Sequence, residues 1–515
     1  MLEKNTSKIK LLAVSVLALV TYSICLGQEL KPAAIFSDHM VLQRDVPIPV
    51  WGAAKPNESI TVTLNGETAF TTSDSEGKWK VELAPLKAAK ESLVMTIMGS
   101  SKIVFKDVVV GEVWICSGQS NMQFATAQVP ELEALLLETK NIRSFEVKRT
   151  VSFKEEENVI GNWQAVPPKS AVAFGFAYFL EDVTDIPIGI IHTSWGSSSL
   201  EAWMPRKMED ELPYFKELMR DFDADTITKA RIKKALNSKE GWTNKEDIFM
   251  RRQPNILFNA MMKPIAPYAC RGLVWYQGER NTRYLSGVPE VDDENWFHRV
   301  IGMKEYGEVL KLWIQNYRDL WQNDQMHFSI VMLPGYGKGI HRKPKIDFES
   351  PTEPSWAWMR ESQMKVLELA HANIANTIDL GDAKNIHPKD KLPIGQRLAL
   401  LARKYTLNEP IVADGPKFEN VEIKNNRLVV HFKNAEYLKT TDGNSPQGFW
   451  ISANEINWKK ANAKIIGTSV ALQARNIKKP KYVRYAFAGK PVVNLVNEAN
   501  LPAYPFRTDE NDIEF

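Results

Sequence analysis

The stretch from Gly111 to Gln123, GEVWICSGQSNMQ, decides how the rest of the chain is read. Val113, Trp114, Ile115 and Cys116 form a short apolar run of the kind that fills a buried strand. Ser117-Gly118-Gln119-Ser120-Asn121 breaks that run with small, turn-forming residues, so the chain must turn sharply. A serine held on a tight turn at the carboxyl end of a strand presents its hydroxyl, with backbone N–H groups able to face the same space. Acyl transfer needs both, an exposed nucleophile and donors for the oxyanion. The same spacing also suits an ordinary strand-to-helix loop, because short Gly-x-Ser turns are common. A full GxSxG elbow is absent, since Met122 stands where its second glycine would be.

On the amino-terminal side of this stretch the pattern has period two. Ile60, Val62 and Leu64 alternate with Ser59, Thr61 and Thr63, Asn65-Gly66 supplies a hairpin turn, and Trp79, Val81 and Leu83 repeat the alternation. Residues 28–107 are expected to form a β-sandwich module whose role is packing and spacing rather than sugar binding. On the other side, apolar strands alternate with helices, the mark of a parallel sheet covered on both faces. Ile186 to His192, Gly272 to Tyr276, Phe328 to Leu333 and Ile374 to Leu380 read as further strands, and Ala171 to Leu180 and Pro393 to Lys404 as helices. A charged stretch, about 206–252, carries Leu212, Phe215, Leu218 and Met219 at helical spacing and reads as a helical insertion. Alternation returns after Tyr405, so residues 108–405 are taken as the α/β domain and 406–515 as a second β-module.

Whole-chain properties narrow the function classes. A chain of 515 residues is too long for one core. With 65 basic and 62 acidic residues the net charge is +3, which argues against nucleic acid or an anionic membrane surface as the main partner. Lys4, Lys8 and Lys10 precede an uncharged run from Leu11 to Ile24 that is too short to span a bilayer. Residues 1–27 are therefore expected to be a cleaved signal peptide, and the protein periplasmic or secreted. Cys25 does not make a lipobox, because Ile24 occupies the position of its small residue. No later stretch reads as a membrane span. Only Cys116 and Cys270 follow the leader, both in apolar strand contexts suited to buried thiols.

Active residues in open parallel α/β sheets gather outside the carboxyl ends of the strands. Four loops share that position: Ser117 to Asn121, Thr193 to Ser199, Gln277 to Asn281, and Gly381 to Pro388. Of eight histidines, His387 sits in such a loop with Asp382 close by in sequence, whereas His192, inside a strand, reads as a hydrogen-bonded structural residue. No histidine pair has metal-ligand spacing and there is no HExxH, so a metal site is not expected.

GEVWICSGQSNMQ, GIIHTSWGSSSLEAW, PNILFNAMMKPIAPYACRGLVWYQGERN and DLGDAKNIHPKDK resemble, in order, the motifs of the sialate O-acetylesterase family, and FSDHMVLQRDVPIPVWG resembles its N-terminal β-module. The resemblance runs from about Ile35 to Tyr405. It implies a flavodoxin-like, three-layer SGNH-hydrolase core with a parallel sheet, flanked by the two β-modules, and removal of acetyl groups from sugar hydroxyls without a cofactor. Ser120 matches the nucleophile, His387 the general base and Gly196 an oxyanion-binding backbone N–H, alongside that of Ser120 itself. Lys384 stands where the related hydrolases keep an aspartate, so Asp382 becomes the orienting acid, with Glu279 the competitor. The third-block asparagine is replaced by Arg280, and Gln277 is preferred over Asn281 as the side-chain oxyanion donor. Trp195 and Trp203 are the expected sugar platforms, with Asn121 and Arg280 as polar contacts. The expected partner is an O-acetylated sugar or glycan. A xylan or other plant-polysaccharide acetylesterase is the alternative within enzymes, and a non-catalytic secreted carbohydrate-binding protein the alternative outside them. The sequence leaves the oligomeric state open.

Overall fold

The computed structural model describes residues 29–288, 299–340 and 346–511. The signal-peptide reading of residues 1–27 lies outside the described residues. The protein is mixed α/β, with one large mixed sheet and additional β-sheet modules on either side of it in sequence.

The central strands are β1 (Lys102–Gly118), β2 (Ile142–Glu146), β3 (Trp163–Gln164), β4 (Ile188–Ser194), β5 (Gly272–Tyr276), β6 (His327–Val331) and β7 (Ala372–Ala375). They lie in the order β3-β2-β4-β1-β5-β6-β7, all parallel except the β3–β2 pair. Strands β4, β5 and β6 are buried along their whole length, which is why they read as unbroken apolar runs rather than alternating ones. The expected strand from Ile374 to Leu380 is shorter than its apolar pattern suggested. It ends at Ala375, where the Asn376 side-chain Oδ1 accepts the Ile378 N–H and turns the chain.

Strand β1 belongs to two parts of the molecule. Its first half pairs with Ala89–Met98 of the N-terminal module, its second half with β4 and β5. The chain therefore enters the central sheet without a break, and the module's core is continuous with that of the α/β domain. Within the module, Lys78–Leu83 shows the strict exposed–buried alternation that its sequence predicts, and Asn65 and Gly66 both take positive φ at the hairpin between Ser59–Leu64 and Glu67–Thr72. The C-terminal strands form two four-stranded sheets and a pair around a separate apolar core.

Helices α1 (Ser120–Gln123), α2 (Ala171–Thr184), α3 (Met303–Trp321) and α4 (Leu392–Thr406) complete the parts that position the site. Ser170 caps α2 by accepting the Ala173 N–H at 3.1 Å and donates its own hydroxyl to the Met122 carbonyl at 2.6 Å, joining α2 to the turn after β1. The charged insertion is helical at Pro213–Ala224, Thr226–Leu236 and Asn244–Met250, and it buries Phe215, Leu218, Met219 and Phe222 on one face. Among the described residues no helix is long and apolar enough to cross a membrane.

Candidate active site

The turn after β1 is built by the sheet itself. Gly118 has φ +140°, and a Cβ there would collide with the Tyr276 carbonyl of β5. That same carbonyl accepts the Gln119 N–H at 3.0 Å, while Gly118 O accepts the Trp195 N–H at 3.1 Å. The loops after β1, β4 and β5 are thus tied together by main-chain bonds around one point. Ser120 stands at that point, at the start of α1, where the first N–H groups lack an intrahelical acceptor.

His387 reaches Ser120 from the loop before α4, with Nε2 2.8 Å from Ser120 Oγ. Asn385 shapes that loop by accepting the His387 N–H at 2.9 Å. Asn121, fully buried, fastens the serine turn to the histidine loop. Its Nδ2 donates to Ile386 O at 3.0 Å and to Glu279 Oε1 at 2.5 Å, and its Oδ1 accepts from Lys391 Nζ at 2.6 Å. Burial pulls the Lys391 ammonium down to about 7, against the opposing pull of Glu279 and Asp390.

Gly196 packs directly on Ser120: a Cβ there would lie 3.2 Å from Ser120 Cβ. Its N–H donates to Gln123 Oε1 at 2.8 Å, so an amide oxygen occupies this donor. A cavity of about 480 Å³ opens over these groups, lined by Gln119, Ser120, Gln123, Gly196, Arg280 and His387. Arg251 and Arg252 extend the same wall; Arg252 donates to Ser197 Oγ at 2.7 Å, and Arg251 pairs with Asp247 at 2.7 Å.

No family model matches this chain. It is 26% identical over 433 residues to the sialate O-acetylesterase of Pongo abelii, covering 77% of this chain and 75% of that one. The Mus musculus sialate O-acetylesterase is also 26% identical, over 441 residues that cover 77% of both chains. A solved structure of a novel carbohydrate acetylesterase from Xanthomonas citri superposes with a TM-score of 0.76 at 29% identity, covering 93% of this chain and 99% of that one. The chain is homologous to the sialate O-acetylesterases.

Several residues expected at the site stand elsewhere. Asp382 is exposed, and its Oδ1 accepts the Lys384 and Asn385 N–H groups at 2.6 and 3.2 Å, closing its own turn rather than reaching His387. Glu279 does meet the site, through Asn121. Gln277 is fully buried, with Nε2 spent on Gln119 Oε1, Ser198 O and Asn281 Oδ1 and Oε1 accepting from Tyr306 Oη at 2.8 Å. Its amide is committed to the framework beneath the Ser120 turn. Asn281 is spent in the same way, on Leu200 N–H and Glu201. Trp195 and Trp203 are fully buried and are not platforms: their indoles donate to Asp247 at 3.1 Å and Ser198 at 2.9 Å. Asn121 likewise faces protein. Arg280 is placed as expected, on the cavity wall.

Three residues escaped the sequence reading. Lys391 ends a run, Lys389-Asp390-Lys391, that looks like a solvated charge cluster, yet it is buried while its two neighbours are exposed. Glu201 is buried beneath Asn281, and burial raises its carboxyl above the ordinary value. Ser194 lies 2.7 Å from His192 Nε2, and His192 Nδ1 lies 2.7 Å from Glu146 Oε2. This serine–histidine–carboxylate line agrees with a hydrogen-bonded structural role for His192. Cys116 and Cys270 are both free and buried.

Proposed function

We propose that this chain is a serine carbohydrate O-acetylesterase with an SGNH-type, flavodoxin-like core, acting on acetylated acidic sugars in the manner of the sialate O-acetylesterases it resembles. The observation that carries the reading is the 2.8 Å contact between Ser120 Oγ and His387 Nε2 at the floor of an open cavity. His387 takes the Ser120 proton as the hydroxyl attacks the acetyl carbonyl, and returns it to the sugar oxygen as that leaves. Water then repeats the cycle on the acetyl-enzyme. As the carbonyl carbon becomes tetrahedral, its oxygen takes the place of Gln123 Oε1 on the Gly196 N–H, with the Ser120 N–H beside it. Each such donor is worth about 3–4 kcal/mol in comparable enzymes.

Three arginines on the cavity wall favour a substrate carrying a carboxylate over neutral xylan. Acetate release from a panel of O-acetylated sialic acids and acetylated xylan tests this. We expect turnover on the sialic acids to exceed that on xylan by at least tenfold; the reverse order would move the chain to the plant-polysaccharide acetylesterases. No release from either, nor from 4-nitrophenyl acetate, would leave the non-catalytic carbohydrate-binding reading. The export expected from residues 1–27 is part of the proposal, and N-terminal sequencing of protein recovered outside the cytoplasm tests it.

A further inference from the structure

We propose that Gln119 Nε2 is the side-chain donor to the oxyanion, and that Gln277 holds it in place. The inference rests on the serine-esterase reading above and fills the side-chain donor position that Gln277, spent on its framework bonds, does not.

The main chain of Gln119 is fixed on both sides. Its N–H donates to Tyr276 O, and its carbonyl accepts the Met122 and Gln123 N–H groups at 3.0 and 2.9 Å. The residue is 3% exposed. One amide atom lies 3.2 Å from both the Arg280 N–H and Gln277 Nε2. A backbone N–H can only donate, so that atom is the oxygen and the other is the NH₂ group. Among the described residues nothing accepts from this NH₂ group, although Gln119 lines the cavity together with Ser120, Gly196 and His387. An amide donor held in place on a cavity wall with no protein acceptor is open to whatever enters the cavity, and such a group calls for a reason.

The reason is supplied by what surrounds it. Gln277, itself held by Tyr306, Asn281 and the Ser198 carbonyl, cannot turn its amide over, and so the Gln119 amide cannot turn either. Glu201 fixes Asn281 in turn. The result is a donor set before substrate arrives, one residue ahead of the nucleophile, in a cavity where negative charge must develop. The Gly196 N–H, in contrast, must first shed Gln123 Oε1.

The test compares full-length wild type with Gln119→Ala and Gln119→Glu on 4-nitrophenyl acetate. A boronic acid that forms a tetrahedral adduct on Ser120 serves as transition-state probe. Both variants should lose about 10²–10³-fold in kcat with KM within threefold, as for other single oxyanion donors. The boronic acid should bind more weakly by the same factor as kcat/KM falls. Gln119→Glu keeps an oxygen for the Arg280 and Gln277 bonds, so it decides the matter if Gln119→Ala fails to fold. Retained kcat in Gln119→Glu, within threefold of wild type, overturns the proposal, as does a change confined to KM with boronic acid affinity intact. Wild type that is inactive, or activity that survives Ser120→Ala, would instead overturn the serine-esterase reading beneath it.

Discussion

Among the described residues three serine–histidine pairs lie within hydrogen-bond distance: Ser469–His431 in the C-terminal module, and two that meet at the β1–β4 pairing, 2.8 Å apart at Ser120–His387 and 2.7 Å apart at Ser194–His192. Judged by the hydrogen bond alone the Ser194 pair is as well formed as the Ser120 pair, and His192 also carries Glu146 on its other nitrogen. Burial alone would raise the Glu146 carboxyl, but His192 and the Lys169 N–H hold it below its ordinary value, as in a working triad. The two differ in what lies around the hydroxyl. Ser120 lines a cavity and starts a helical turn, with Gly196 against it. Ser194 is the last residue of β4, buried, and paired in register with Gly118, so the ladder uses its backbone. A nucleophile needs access and spare backbone donors as well as a base, and one pair of the two has them.

The sharpest way to break this comparison is to remove the Ser120 hydroxyl. We expect Ser120→Ala to lower kcat/KM on acetyl esters at least about 10⁴-fold, with the thermal transition nearly unchanged. Activity within tenfold of wild type would hand the role to another residue, with Ser194 the first to examine.

A second effect should separate the two carboxylates near His387 in sequence or space. Glu279→Gln removes a charge bonded to Asn121, the residue that fastens the serine turn to the Ile386–His387 backbone, and it takes from buried Lys391 the stronger of its two anionic neighbours. We expect kcat to fall about 10- to 100-fold, within the several kcal/mol that breaking a buried charge pair costs. Asp382→Asn should stay within threefold, because an amide oxygen can still accept the N–H bonds of its exposed turn. Parallel kinetics on the two variants check the order, and a larger loss in Asp382→Asn would restore it to the histidine.

What the sequence made legible follows from the kind of signal each feature leaves. Buried parallel strands leave apolar runs, and the turn after Cys116 leaves a glycine at positive φ, so the sheet, the Ser120 turn and the His387 loop could all be placed. Partners of buried polar side chains leave none. Asp382 seemed well placed for His387 by sequence distance, yet an aspartate at the start of a loop readily closes its own Asx turn. Gln277 seemed free to face the oxyanion because the third block reads as a loop, but Tyr306, 29 residues on, captures its oxygen. Trp195 and Trp203 looked open beside glycines and serines, whereas those small residues let the backbone pack close and bury the rings.

Lys391 offers a smaller effect with a definite sign. It faces Glu279, Asp390 and Asn121, and its ammonium lies 5.1 and 5.3 Å from the Phe124 and Tyr276 rings. Its pKa is about 7 when folded against an ordinary 10.5, so between these values the unfolded chain binds more protons than the native one. Stability of wild type relative to Lys391→Met should therefore rise with pH across that window, by up to ~1.4 kcal/mol per pH unit. Below pH 7 the difference should level off. Urea denaturation of both proteins at intervals from pH 6 to about 10 reads the slope; a falling or flat difference would mean that the buried amine keeps its proton throughout.

The smallest effect is the one that tests the comparison itself. If Ser194–His192–Glu146 is architecture, Ser194→Ala removes one buried hydrogen bond and nothing from catalysis. The hydroxyl sits at the last β4 position, where the ladder to β1 holds the backbone whatever the side chain does. His192 keeps Glu146 and its place in the strand. The cost should be the loss of a single neutral-to-imidazole bond, about 1 kcal/mol of stability, with kcat and KM both within twofold of wild type. Ser194→Cys sharpens the point: a reactive second nucleophile would gain thiol labelling suppressed by a bound boronic acid, whereas a buried strand residue should resist labelling in the native state. Equal kinetics with a modest drop in thermal stability would establish that a serine, a histidine and a carboxylate in line are not enough. A hundredfold loss of kcat in Ser194→Ala would show instead that the two lines work as one site across the Gly118–Ser194 pairing of β1 and β4.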